Sequence, residues 1–217
     1  MFDSLLRERV RDQRVDYAAI RKHDAARLRD YLTRLAGVEP DRLATSERLA
    51  FYINLYNATM IQAVVDRLRP GYSPQDNDFA VFKEPLVGLR GGRVSLDHLE
   101  NQIIRKQFAE PRIHVALVCG ARSCPPLLPR AYTGADLEQL LDANMRRFVA
   151  DPTRNRIDPA HGVLELSKIF EWYAADFGGP EALVGFLQKY VTADLAGSKP
   201  TFRAYSWELN IVPDAPR

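Results

Sequence analysis

The chain predicts a helix-rich α+β fold with a small, mostly antiparallel central sheet. Three observations carry that prediction. Apolar residues recur at helical spacing over several long stretches. Short β-rich runs lie between glycine- and proline-marked turns in the middle and last third of the chain. One long stretch is apolar on almost every side, as befits a helix enclosed by its neighbours.

Taken in order, residues 24–35 place Ala25, Leu28, Tyr31, Leu32 and Leu35 on one helical stripe, and Ala36-Gly37 ends it. Residues 46–68 form the all-round apolar helix, with Ser46 as the expected N-cap and Pro70-Gly71 as the stop. Residues 71–78 are polar and turn-rich, a surface loop. Residues 80–89 and 92–95 predict two short strands around Arg90-Gly91-Gly92. Ser95 then caps a helix reaching about Phe108. In residues 113–119 the apolar run Val115 to Val118 breaks at Cys119-Gly120 into a small-residue turn that stops at Pro125-Pro126. That pattern predicts a buried strand delivering polar groups to a loop, where sites are commonly built.

An amphipathic helix is expected over 133–149, and a hairpin over 156–167 with Pro159 to Gly162 in its turn. Helices follow over 171–177 and 180–192, and a strand-like segment over 202–211 closes the chain. There is no internal repeat, low-complexity run or strong linker. The reading is therefore one domain over 1–217, with a helical part to about residue 70 and a sheet-containing core from about residue 79.

Composition limits the function. Hydrophobic residues at 46% and charged residues at 27% describe a globular chain, neither disordered nor fibrous. A formal net charge of +2, with basic and acidic residues interspersed, gives no reason to expect a nucleic acid or an anionic membrane. No stretch has the roughly 20 apolar residues of a membrane span, and the first residues lack a signal-peptide layout. There is no G-x-S-x-G, no phosphate-binding glycine loop, no dinucleotide fingerprint and no H-E-x-x-H. No cofactor is expected. Nor is a metal, because two cysteines and His114 fit no structural zinc spacing.

The chemistry-bearing residues concentrate around His114, Cys119 and Cys124. A thiol needs a nearby imidazole to lower its pKa, and the imidazole needs a carboxylate to orient it. The sharp hypothesis is a cysteine nucleophile with His114 as base and Glu100 as orienter. On an extended strand His114 and Cys119 would lie about 16 Å apart and face opposite sides. Cys124 lies beyond the turn and can fold back, with loop N–H groups left for an oxyanion, so Cys124 is favoured over Cys119. The plainer readings are a Cys119–Cys124 disulfide, two small buried thiols, and a satisfied core histidine.

Two further groups enter as candidate substrate contacts. Asn54 and Asn57 share a face of the all-apolar helix, where asparagine is unfavourable and wants a reason. Pinning the buried backbone of neighbouring loops is the favoured one. Lys168, Trp172, Tyr173 and Asp176 cluster at helical spacing, either lining a substrate or packing a helix with Lys168 over Trp172.

Four blocks also carry a resemblance: FYINLYNA at 51–58, LDHLE at 96–100, RIHVALVCGARSCPP at 112–126 and LSKIFEWYAADF at 166–177. Together they make the chain resemble members of the DUF547 family, whose activity is not established, over about residues 5–210. The resemblance implies a fold reminiscent of thiol peptidases and transglutaminases, a polar cluster built from these blocks, and an exported location. It also marks a departure. Family members often carry a histidine directly after the glutamate of the second block, where this chain has Asn101. The expected function is a thiol hydrolase or acyl-transferase acting on a peptide or amide. The alternative is a non-catalytic binding or scaffold domain in which the same cluster is structural, with an unidentified peptide or small-molecule ligand in either case.

Overall fold

Burial of one helix organises the molecule, and the elements are best followed from it outward. The computed structural model describes residues 1–213 of the 217. Among these residues about half are helical, and the strands form three small sheets with no closed barrel.

Helix α1 (Phe2–Arg9) leads into the hairpin of β1 (Val10–Arg11) and β2 (Arg14–Val15). A helical turn at Tyr17–Ala19, capped by the Asp16 carboxylate on the Ala19 N–H (2.9 Å), passes through a π-helical segment, Ile20–Asp24, into α2 (Ala25–Ala36). Then comes α3 (Thr45–Arg67), the helix expected to be apolar all round. It is buried almost without interruption from Leu49 to Val65, and the residues packed on it form the larger of two hydrophobic clusters. Its first residue is Thr45, one ahead of the expected cap at Ser46.

The segment expected as a strand over 80–89 divides. Its first part belongs to α4 (Asp76–Lys83), entered through three successive left-handed residues, Asn77, Asp78 and Phe79 (φ 52°, 55° and 59°). Helical spacing puts the Phe79 and Phe82 rings on one side. Both rest against Trp207, with centroids 4.8 and 6.5 Å away. A strand would have sent them to opposite faces. Only β3 (Val87–Leu89) is extended, and it pairs with β4 (Gly92–Val94) around the expected Arg90-Gly91 turn.

Helix α5 begins at Leu96–His98 with the Ser95 hydroxyl capping the His98 N–H at 3.0 Å, widens to a π-helical segment at Leu99–Ile104, and closes at Arg105–Gln107. After the irregular middle of the chain come α6 (Leu137–Val149), β5 (Arg156–Asp158), β6 (Val163–Leu166), α7 (Ile169–Trp172), α8 (Pro180–Leu187) and β7 (Thr201–Phe202). Strand β6 pairs antiparallel with β5 and parallel with β7. These elements enclose the second apolar cluster, around Met145, Phe148 and Phe170. Beyond β7 the expected closing strand is irregular. Its strand-like pairing is limited to single bridges, Ala121 with Leu209 and Val15 with Ile211.

The strand expected over 113–119 is not there. Pro111–Val115 is a short 3₁₀ turn, started by Pro111 and by the Glu110 carboxylate accepting from the Arg112 N–H (3.0 Å), and the chain continues irregularly through a buried channel. Buried backbone must be hydrogen-bonded, and here side-chain amides do what a ladder would have done. Asn144 donates to the Val115 carbonyl. Asn57 donates to the Ala116 carbonyl and accepts from the Val118 N–H, both at 2.9 Å. Asn54 clamps the Tyr132 carbonyl and N–H in the same way, at 2.8 and 3.0 Å. An apolar run can therefore be fully buried without pairing into a sheet.

Replacing Asn57 with Ala strands two buried backbone groups. We predict a loss of about 2–4 kcal/mol of stability, read as a lower urea midpoint with unchanged slope. A loss under about 0.5 kcal/mol would show that the segment reaches other partners.

Candidate functional site

A cavity of about 440 Å³ opens beside the irregular segment, between α4, α5, α7 and the C-terminal strand-like segment. Its floor holds Glu100, His114, Cys119 and Cys124, and its wall is aromatic. Trp172 and Trp207 stack with centroids 6.0 Å apart, and Tyr205 bridges them at 4.8 and 4.7 Å. The C-terminal segment is carried here by the 120s loop: the Arg122 N–H donates to the Glu208 carbonyl (2.7 Å) and the Asn210 N–H to the Gly120 carbonyl (2.8 Å). Gly120 has φ +78°, a left-handed conformation that favours glycine, and a Cβ there would lie a tight 3.3 Å from the Tyr17 hydroxyl.

The two cysteines are free thiols stacked in depth. Cys119 is half-buried at the cavity floor, whereas Cys124 is buried beneath it. The Cys119 N–H donates to the Cys124 sulfur (3.0 Å), and Cys119 Sγ lies 3.2 Å from the Tyr205 hydroxyl. Burial pushes the Cys119 thiol up, but hydrogen bonds from the Cys124 thiol, the Tyr205 hydroxyl and the Ala121 N–H outweigh it, and the net shift is downward. For Cys124, burial and the neighbouring Cys119 sulfur act together and raise the thiol well above its ordinary range. Of the loop N–H groups expected to serve an oxyanion, that of Ser123 is spent, donating to the Ser206 carbonyl at 3.2 Å.

His114 sits 1% exposed against Tyr173, the ring centroids 3.7 Å apart. Its Nε2 is 2.6 Å from Asp176 Oδ2, and Asp176 is gripped by Arg105 through two bonds of 2.7 Å. The Arg105 bonds lead in holding the Asp176 carboxyl below its ordinary value. Glu100 lies on the π-helical segment of α5, a distortion common at functional sites. Its Oε1 accepts from the Tyr173 hydroxyl (2.7 Å) and stands 4.0 Å from His114 Nδ1. Burial raises the Glu100 carboxyl, against hydrogen bonds from Tyr173 and Tyr56. Burial likewise pushes His114 down to about 4, which Asp176 only partly offsets.

The cavity thus gathers His114, Glu100, Cys119 and Cys124, together with Trp172 of the helical cluster. It does not gather Asn54 and Asn57, whose amides are spent on backbone, or Lys168, which pairs with Glu171 away from the lining. The histidine's carboxylate at hydrogen-bond distance is Asp176, 62 residues along the chain, and not Glu100. Asp176 carried a usable signal, the end of the fourth sequence block. Tyr205 and Trp207 carried none beyond being aromatic. Asn101 accepts from Arg105 (2.7 Å) and donates to Asp97 (2.8 Å), so it serves the arginine that holds Asp176.

Residues 40–149, just over half of the chain, match the family described as "Protein of unknown function, DUF547". The chain belongs to this DUF547 family. The match takes in the first three sequence blocks and leaves Asp176 and the Tyr205–Trp207 wall outside it. No curated protein and no solved structure matches. Among the described residues no helix is long and apolar enough to cross a membrane, and no group of three or more His, Cys, Asp or Glu side chains could hold a metal ion.

The His114 shift has a signed consequence. The unfolded chain takes up this proton near pH 6.5 and the folded one only near 4, so between those values the unfolded state holds more protons and acid destabilises the fold. The full shift is worth about 3 kcal/mol. Stability should fall on acidification from about pH 6.5 to about 4, and fall less steeply in His114→Gln. Identical slopes in the two proteins, measured by urea denaturation at each pH, would refute the shift.

Proposed function

We propose that this DUF547 protein is a cysteine-dependent hydrolase or acyl-transferase acting on a peptide or amide, with Cys119 as the nucleophile. The observation that carries the reading is the position of Cys119. It is the thiol at the cavity floor, with its sulfur 3.2 Å from the Tyr205 hydroxyl, and the hydrogen bonding around it lowers the thiol against the effect of burial. A thiolate, not a thiol, is the attacking species, and hydrogen bonds stabilise it here in the way an imidazolium does in a cysteine–histidine pair. Cys124 takes the supporting role of donor, the reverse of the order expected from the chain.

The proton traffic follows from the neighbours. Attack by the Cys119 sulfur on the substrate carbonyl forms a C–S bond and a tetrahedral oxyanion. Collapse breaks the C–N bond, and the departing amine takes a proton from the Glu100 carboxyl, which burial keeps protonated to higher pH than an exposed one. Water or an amine then attacks the thioester, gives its proton back to Glu100, and frees the sulfur. His114, held by Asp176 and stacked on Tyr173, positions the Glu100 side of the cavity.

One observation favours a second reading, a binding domain without turnover. His114 has Asp176 and not either sulfur as its hydrogen-bond partner, so no cysteine–histidine dyad is assembled. Thiol labelling separates the two. On the catalytic reading, iodoacetamide labels Cys119 in the native protein well below pH 8.5, an ordinary thiol pKa, and Cys124 only after unfolding. A Cys124→Ala change, which removes one donor, moves the Cys119 labelling midpoint up by about one pH unit. A reactive acyl ester leaves one acyl group on the wild type and none on Cys119→Ser, seen by intact mass. Labelling of both cysteines only on unfolding, with no acyl adduct, would establish the binding reading.

A further inference from the structure

Two hydrogen-bond acceptors, His114 Nδ1 and Glu100 Oε1, stand 4.0 Å apart at the cavity floor. Asp176 is fixed as a carboxylate by the two Arg105 bonds and can only accept, so His114 Nε2, 2.6 Å away, carries the ring hydrogen. Nδ1 is left with its lone pair, and no donor among the described residues is bonded to it. The nearest polar atom recorded against it is Glu100 Oε1 at 4.0 Å. That oxygen is itself an acceptor, receiving the Tyr173 hydroxyl at 2.7 Å. At 4.0 Å the two atoms are too far apart to be hydrogen-bonded to each other.

The gap has a definite complement. An atom about 2.8 Å from both acceptors sees them at close to a right angle, which suits one nitrogen donating two hydrogens. Both acceptor-bearing side chains are buried and line the cavity, so a donor there reaches them only through the cavity. The remaining lining selects for positive charge. Asp97 has no cationic partner among the described residues, and Lys83, the cation of the lining, is held by Asp78 at 2.6 Å. Facing these carboxylates are the rings of Trp172, Tyr205 and Trp207, with Trp172 46% exposed. Aromatic faces attract cations and repel anions.

We propose that the cavity floor is an ammonium subsite: a primary amine or ammonium nitrogen of the ligand binds between His114 Nδ1 and Glu100 Oε1, with Asp97 and the aromatic wall selecting its charge. The inference rests on the reading of this cavity as the substrate site and names the substrate class as amine-bearing. It is independent of whether the sulfur is acylated. The nitrogen shares the cavity lining with Cys119; once it has given a proton to Glu100, the neutral amine has the lone pair an acyl acceptor needs.

The test uses full-length Cys119→Ala protein, in which no thiol chemistry at that sulfur can intervene, titrated by calorimetry with n-butylammonium, 1-butanol and butyrate. The ammonium should bind at least tenfold more tightly than the alcohol, with no detectable binding of butyrate. Asp97→Asn, at an exposed position, should weaken ammonium binding about threefold, and Glu100→Gln tenfold or more. ¹⁵N spectra of the His114 ring should show Nδ1 unprotonated without ligand and shifted with it, which a merely structural histidine would not do. Equal binding of alcohol and ammonium, tighter binding of butyrate, or an unshifted Nδ1 would overturn the subsite. If ammonium binds as expected while the wild type gives no acyl adduct, the catalytic reading fails and the subsite stands. The converse outcome removes the subsite alone.

Discussion

The whole arrangement depends on satisfying the backbone of one buried, irregular segment. Residues 113–119 run through the interior without a strand partner, and backbone left unpaired there would cost about 1–3 kcal/mol per group. The Asn57 amide removes two of those penalties and the Asn144 amide a third. Asn57 comes from α3, the most enclosed helix of the molecule, so the segment inherits the rigidity of the best-packed element. That is why His114 and Cys119 can be held at the cavity floor by a stretch with no regular hydrogen-bond ladder. A sheet would have imposed alternation on these residues. Side-chain clamps leave each one free to point where the site uses it.

A second constraint is electrostatic and links distant parts of the chain. Asn101 and Arg105 on α5 hold Asp176, which follows α7, and Asp176 fixes the ring of His114. Glu100, one residue before Asn101, is held by Tyr173 from the α7 side. The π-helical stretch of α5 allows these neighbours in sequence to serve different partners, Glu100 inward and Asn101 towards the arginine. Buried ionic groups are tolerable only when fully paired. Asp176 is paired, with Arg105. Glu100 is deeply buried with hydroxyl donors and no bonded cation; burial raises its carboxyl while the Arg105 bonds lower that of Asp176.

Much of the fold was legible because periodicity records burial directly. The all-apolar pattern of α3, the Ser95 cap and the turn at Arg90-Gly91 depend on local chemistry, and local chemistry is what a sequence displays. Two of the three misread strands fail for one reason. A short apolar run looks the same whether its backbone is satisfied by a ladder, by a helix or by distant amides, and for residues 113–119 and 80–83 the deciding partners, Asn57, Asn144 and Trp207, are far away in sequence. The site follows the same logic. His114, Glu100 and the cysteines stand out as residue types within a short window. Asp176 and Tyr205 act through contacts 62 and 86 residues away; Asp176 shows locally only as a member of a helical polar cluster, and Tyr205 leaves no local trace. The ranking of the two cysteines rested on strand geometry, and the strand it assumed is a turn followed by irregular chain.

The asparagine at position 101 tests how far a departure from the family pattern can be read. In isolation, an amide where relatives often carry an imidazole suggests a lost base. Its contacts give a different account. The Asn101 carbonyl oxygen accepts from Arg105 and its amide donates to Asp97, and neither contact involves a sulfur. Glu100 and His114, titratable groups of the floor, are oriented without a base at 101, by Tyr173 and Asp176 respectively. What asparagine adds is an acceptor with no charge. It steadies the guanidinium without competing with Asp176 for it, and so leaves the carboxylate that fixes the His114 tautomer fully engaged.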